Sequence, residues 1–196
     1  MTVGGYAGVA RRVCVLAAAL SLATATVLLL GVLTAEKPAS AQSTLSGGYV
    51  TRCDGESFYL NAYEKSTYEL HNQTRASNGL ATLCLHETLT QAARSHSQEM
   101  IDKGYFSHNS YDGESFSARL ERFGYDSYEE VGENVAWGSG TNAYPDSIFQ
   151  SWMNSSEHQE NILSPNYREV GIGTATGECE GYSGCTMYTV DFGVPR

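Results

Sequence analysis

The stretch SSEHQENILSPNYREVGIG, residues 155–173, spells out a helical turn, a stop and a strand in nineteen positions. Ser156 stands where an N-cap belongs, with a hydroxyl that accepts from the orphan amides of the next turn. Gln159, three residues on, is placed to complete a capping box. His158 then falls in the first turn, where the positive end of the helix dipole disfavours imidazolium. A neutral imidazole there can ligate a metal or accept a proton. Ile162 and Leu163 supply the buried side of the turn, Ser164-Pro165-Asn166 stops it, and Val170-Gly-Ile-Gly173 alternates as a strand.

Downstream, Val170–Thr176 and Met187–Gly193 read as a hairpin with Cys179 and Cys185 in a wide connection. Upstream, Pro145 opens a helix whose inner face carries Ile148, Phe149 and Trp152. Val131–Gly140 is a short strand or extended piece flanked by glycines, and Glu114–Phe123 has the Phe116, Leu120, Phe123 spacing of a short helix closed by Gly124. Tyr105–Gly113 is a loop rich in turn formers. Leu85–Lys103 is the clearest helix: Leu89, Ala92, Ala93, His96 and Met100 line one face, and His96 is expected there as a hydrogen-bonded core histidine. A first helix from about Phe58, with Leu60, Tyr63, Tyr68 and Leu70, stops at Asn78-Gly79. Helices precede most of the strands, which predicts an α+β domain with helices packed on a mainly antiparallel sheet.

Residues 1–41 read as a signal peptide: Arg11-Arg12, an apolar run from Val13 to Leu33, and Ala39-Ser40-Ala41 before Gln42. The run is long enough that an uncleaved membrane anchor is the alternative. Either way the domain is exported. The net charge of the full chain is −10, and residues 1–41 remove three cations and one anion, leaving −12. Such an acidic surface argues against nucleic acid and anionic lipid headgroups and is compatible with cations. Cys14 leaves with the segment, so Cys53, Cys84, Cys179 and Cys185 remain, and in an exported chain they read as two disulfides. Three connectivities are open. Cys53–Cys84 with Cys179–Cys185 is favoured, and the former, closing the longer loop, is expected to stabilise by about 3–4 kcal/mol.

His108, Glu133 and His158 have no obvious core role and lie in loops or at element ends. They sit within an ordered series: Phe106-Ser107-His108, Gly132-Glu133-Asn134-Val135-Ala136-Trp137-Gly138, the run from Trp152 through His158 and Asn161 to Leu163, and Val170-Gly-Ile-Gly173. This series resembles a bacterial CAP (SCP) domain, from the superfamily of cysteine-rich secretory proteins, antigen 5 and plant pathogenesis-related class 1 proteins. The pattern Leu85-x3-Leu89-x2-Ala-Ala-x2-His96-x3-Met100 matches the first half of such domains, so the resemblance runs from about Tyr59 to Gly193.

That resemblance implies a three-layer α-β-α sandwich with a central, mainly antiparallel sheet. It divides the chain into the signal segment 1–41, a flexible arm 42–57 and a CAP domain 58–196. It also implies a cleft lined by two histidines and two acids that in several members binds a divalent cation. Carried over, these are His108, Glu133 and His158, with Ser155 at the usual place of the second acid and Glu157 and Glu114 nearby in sequence. Imidazole and carboxylate suit zinc or a similar cation. The function implied is that of a secreted, monomeric binding protein for a cation or a small or lipid ligand, working with an extracellular or cell-envelope partner. A metal-assisted hydrolase using the same cleft is the alternative. No residue is assigned a catalytic role: H-E-x-x-H is absent, and Gly138-Ser139-Gly140 is not a nucleophile elbow.

Overall fold

The computed structural model describes residues 45–196; the predicted signal segment lies outside the described residues. The chain runs β1 (Gly48–Thr51), β2 (Ser57–Leu60), α1 (Ala62–Ser77), β3 (Cys84–Leu85), α2 (Glu87–Lys103), α3 (Phe116–Phe123) and β4 (Tyr128–Ser139). It continues through a short 3-10 turn to α4 (Pro145–Met153), α5 (Ser156–Leu163), β5 (Glu169–Cys179) and β6 (Tyr182–Pro195). The main sheet has the order β3-β5-β6-β4; only the β3–β5 pair is parallel.

The alternation on β5 and β6 sets the three layers. Val170 and Ile172 on β5 and Tyr188, Val190 and Phe192 on β6 point to one side, where Ile148, Phe149 and Trp152 of α4 and Ile162 of α5 complete a buried cluster. The residues between them, Gly171, Gly173, Met187, Thr189 and Asp191, take the other face because side chains alternate along a strand. Here α2 lies directly on the sheet. A Cβ at Gly171 would collide with the backbone of Leu89 and Thr90, and one at Gly173 with that of Ala93 and Arg94. The lack of side chains at Gly171 and Gly173 thus lets the helix and sheet backbones approach closely, with Ala93 against Gly173. Leu89, Ala92, Leu120 and Tyr125 form the cluster that adds α3 to this layer. The result is the predicted α-β-α sandwich.

Several sequence expectations are corrected. Phe58 and Leu60 belong to β2, not to the first helix, and β1 pairs antiparallel with β2 over Gly48↔Leu60 to Thr51↔Ser57. Within the arm expected to be flexible, residues 48–51 and 57 are therefore strand. Helix α1 starts at Ala62 under a complete capping box: Asn61 accepts from the Tyr63 and Glu64 amides, and the Asn61 amide donates to Glu64. The connection expected to be wide is the two-residue turn Glu180-Gly181, both at positive φ, and both cysteines flanking it lie in the strands. Helix α5 has Ser155, not Ser156, at its N-cap, and no capping box forms because Gln159 Nε2 donates to the Met153 carbonyl instead. The favoured disulfides, Cys53–Cys84 and Cys179–Cys185, are both present.

One histidine of the core sets a pH limit. His71 of α1 is fully buried against the edges of Phe149 and Trp152, with ring centroids 5.1 and 5.8 Å away. Its Nδ1 donates to the Thr67 carbonyl at 2.7 Å, and Nε2 has no partner. Burial pushes this imidazole down to about 4. A depressed folded-state value means that the unfolded chain protonates first. Stability is thus full above about pH 6.5 and is lost as the pH falls toward 4. This histidine alone should cost on the order of 2 kcal/mol at pH 5 relative to pH 7. Urea unfolding of His71→Gln at the two pH values should show that much less acid sensitivity than the wild type; an unchanged difference would contradict the assignment.

Candidate functional site

Each of the two site histidines is placed by a different layer. His108 lies in the loop after α2, and the α2–α3 layer fixes that loop. His96 Nε2 donates to the Ser107 carbonyl at 2.8 Å, in the core role expected of it. Arg119 of α3 donates to the His108 carbonyl at 3.1 Å and to the Ser110 hydroxyl at 3.2 Å. His158 lies in the first turn of α5, and its carbonyl accepts from Asn134 Nδ2 on β4 at 3.0 Å. Asn161 of α5 donates to Asn134 Oδ1 at 2.8 Å and to the Glu133 carbonyl at 3.3 Å. The asparagines of the Gly132-Glu133-Asn134 and Gln159-Glu160-Asn161 runs therefore stitch the helix to β4.

Between them lies a cleft of about 690 Å³ at the β4 edge of the sheet, lined by Phe106, His108, Trp137, Ser155, Glu157 and His158 among others. His108 is half exposed and its Nδ1 bonds Glu133 Oε1 at 2.8 Å. The other Glu133 oxygen is taken by Arg119, and the Glu133 and Arg119 side chains are each only 1% exposed. His158 Nδ1 bonds the Ser155 hydroxyl at 3.0 Å. The Nε2 atoms of both histidines have no hydrogen-bond partner among the described residues.

Electrostatics sets the two imidazoles apart. The hydrogen bond to Glu133 raises His108 above its ordinary range, against burial and with further help from the charges of Glu133 and Glu157. Burial lowers His158, and the neighbouring His108 lowers it further. Beneath Glu133, its register partner Asp191 on β6 is fully buried with neither oxygen hydrogen-bonded. Burial, then the charge of Glu133, pushes the Asp191 carboxyl well above the usual carboxylate range.

His108, Glu133, His158 and Ser155 are thus brought to one region, with a division of labour that the sequence did not reveal. Both Glu133 oxygens are committed inside the protein, and the acid that lines the cleft is Glu157. Glu114 lies outside the cleft lining and pairs with Arg122 at 2.9 Å. Arg119 went unnoticed in the sequence, although its place between Phe116 and Phe123 on the inner face of α3 was a signal for burial. The one cluster of three ligand-type groups within 4.8 Å of one another among the described residues is Cys53, Cys84 and Glu169. Its sulfurs are consumed by the disulfide and offer no thiolate.

An α-β-α sandwich of this element order and sheet topology defines a class of fold. The chain belongs to the cysteine-rich secretory protein (CAP) family, whose model matches residues 68–192. It is 39% identical over 145 residues to the protein YkwD of Bacillus subtilis (strain 168), covering 71% of this chain and 55% of that protein. The chain thus spans about half the length of that relative. Among solved structures, it is similar to an extracellular SCP-domain protein of Bacillus anthracis (TM-score 0.58, 24% identity, covering 71% of this chain and 47% of that one). It is also similar to an outer surface protein of Borrelia burgdorferi (TM-score 0.59, 17% identity, covering 76% of this chain and 99% of that one). No helix among the described residues is long and apolar enough to cross a membrane.

Proposed function

We propose that this chain is an exported binding module whose cleft holds a divalent cation, zinc foremost, or a small ligand between His108 and His158. The supporting observation is the arrangement of the two rings. Each lines the cleft and has Nδ1 engaged by a built partner, Glu133 or Ser155, which fixes the ring and leaves Nε2 without a hydrogen-bond partner among the described residues. A carboxylate behind a histidine is the usual outer support of a metal-bound imidazole, orienting the ring and raising its basicity. The donors open to a cation are therefore the two imidazoles: Glu157 lines the same cleft without completing a three-ligand group within 4.8 Å, and Glu133 is a positioning residue rather than a ligand. When bound, such an ion would supply a Lewis-acidic anchor for an oxygen of a second ligand. Export rests on the character of residues 1–41; that similar structures include an extracellular and an outer surface protein supports it.

Elemental analysis and calorimetric titration of the exported protein with zinc test this. One ion per chain is expected. His108→Ala and His158→Ala should each abolish measurable binding, and Glu133→Gln should weaken it about 10- to 100-fold. Zinc affinity unchanged in both histidine variants would reject the site.

A further inference from the structure

We infer that the same cleft is one end of a saccharide-binding groove, with the rings of Phe106, Trp137 and Tyr182 as its stacking surfaces and a neutral oligosaccharide as its ligand. The inference rests on reading the cleft as a ligand site and names the class of ligand. Phe106 lines the cleft with 44% of its surface exposed, although burying that ring would stabilise the fold. Trp137 also lines it, packed from behind by the buried cluster of Met100, Met187 and the two hairpin cysteines. Tyr182, 58% exposed, stands with its ring centroid 5.8 Å from that of Trp137 and its plane tilted by 35°.

Tyr182 is held there by local backbone chemistry. It is the register partner of Cys179, directly after the Glu180-Gly181 turn, and the Cys179–Cys185 bridge staples that turn to the strands. Glu180 adopts a left-handed conformation, φ 47°, which only glycine and a few polar residues enter readily. An exposed aromatic ring fixed in this way loses little entropy when it stacks on a ligand.

The chemistry of the cleft decides among occupants. His108, Asn109, Ser151, Ser155, Glu157 and His158 interrupt its apolar wall, so a wholly apolar chain or sterol would leave polar groups without partners. β4 is an edge strand, which invites an added peptide strand. That edge is already capped, however: Asn161 Nδ2 and Trp152 Nε1 donate to the Glu133 and Val135 carbonyls, each at 3.3 Å. Glu157 in the cleft and the exposed Glu178 and Glu180 beside Tyr182 repel sulfated, phosphorylated or uronic polymers. A pyranose, with apolar C–H faces and hydroxyl edges and no charge, satisfies rings and polar groups together.

The test is titration of the full exported protein with the tetramer of β-1,4-linked N-acetylglucosamine and with cellotetraose, followed by calorimetry and tryptophan emission. Trp152 is 1% exposed, so an emission change reports Trp137. Saturable binding of at least one sugar is expected, with a Kd of about 1 mM or tighter. Tyr182→Ala and Phe106→Ala should each weaken it about fivefold or more, with unfolding midpoints near wild type because both rings are exposed. No saturable signal from either sugar at about 10 mM would overturn the inference, as would affinity unchanged in both variants or binding of an extended oligoalanine peptide in place of the sugars. Zinc bound by a protein that ignores both sugars would remove this inference and leave the cation site standing. Loss of both would remove the cleft as a site.

Discussion

Arg119→Met is expected to destabilise the protein by about 3–5 kcal/mol, far more than the loss of a surface ion pair. Both partners in the Arg119–Glu133 pair are 1% exposed, so solvent cannot take over when the guanidinium is removed. The variant leaves the Glu133 carboxylate in the interior beside the buried carboxyl of Asp191, its partner directly across the ladder. It also frees the loop bearing His108, whose carbonyl and whose neighbour Ser110 lose their donor. Pairing Arg119→Met with Glu133→Gln removes the stranded charge and should recover part of the loss, because a buried pair is costly to break but much less costly to replace whole. Urea unfolding of the wild type, the single variant and the double variant measures both effects. A single-variant loss below about 1 kcal/mol, the scale of a surface pair, would show that the pair is not buried in solution.

Replacing Cys53 and Cys84 together by alanine should cost about 3–4 kcal/mol, lowering the melting temperature by about 10 °C. The bridge spans 31 residues, whereas Cys179–Cys185 spans 6, so loop-closure entropy ranks the first above the second. The first bridge also has a local role. It reinforces the bond from the Cys53 amide to the Leu85 carbonyl and the Arg52↔Leu85 bridge, which tie the N-terminal hairpin to the end of β3. Thermal unfolding of the two double-alanine variants should therefore differ, with the larger drop for Cys53/Cys84. Equal drops would contradict the ranking.

The elements legible in the sequence were those with long periodic faces. Leu89 to Met100 on α2 and the Val170-Gly-Ile-Gly173 alternation on β5 were read correctly because their burial patterns repeat. The N-terminal hairpin was missed because Ser57–Leu60 is only four residues long and sheds its aromatic Tyr59 to solvent, which blurs the pattern. Yet Asn61 and Glu64 carried a capping-box signal that would have moved the helix start. At α5 a similar signal at Ser156 and Gln159 pointed to the wrong residue, because the Ser155 hydroxyl is engaged by His158 and Gln159 by the Met153 carbonyl. For the candidate site, the sequence singled out two imidazoles and the acid between them, Glu133, which bonds one of the two. It had no means of telling a carboxylate facing the cleft from one facing inward, since that depends on Arg119, fourteen residues away on another element.

The cleft lies where the two helical layers meet at the rim of the sheet, with His108 anchored by one layer and His158 carried by the other. Any occupant that touches both rings is a clasp across the sandwich and penalises every opening motion that separates them. At a concentration a hundred times its Kd, it would add about 2.7 kcal/mol against unfolding. A filled molecule would then resist proteases longer than an empty one, so that persistence itself reports occupancy.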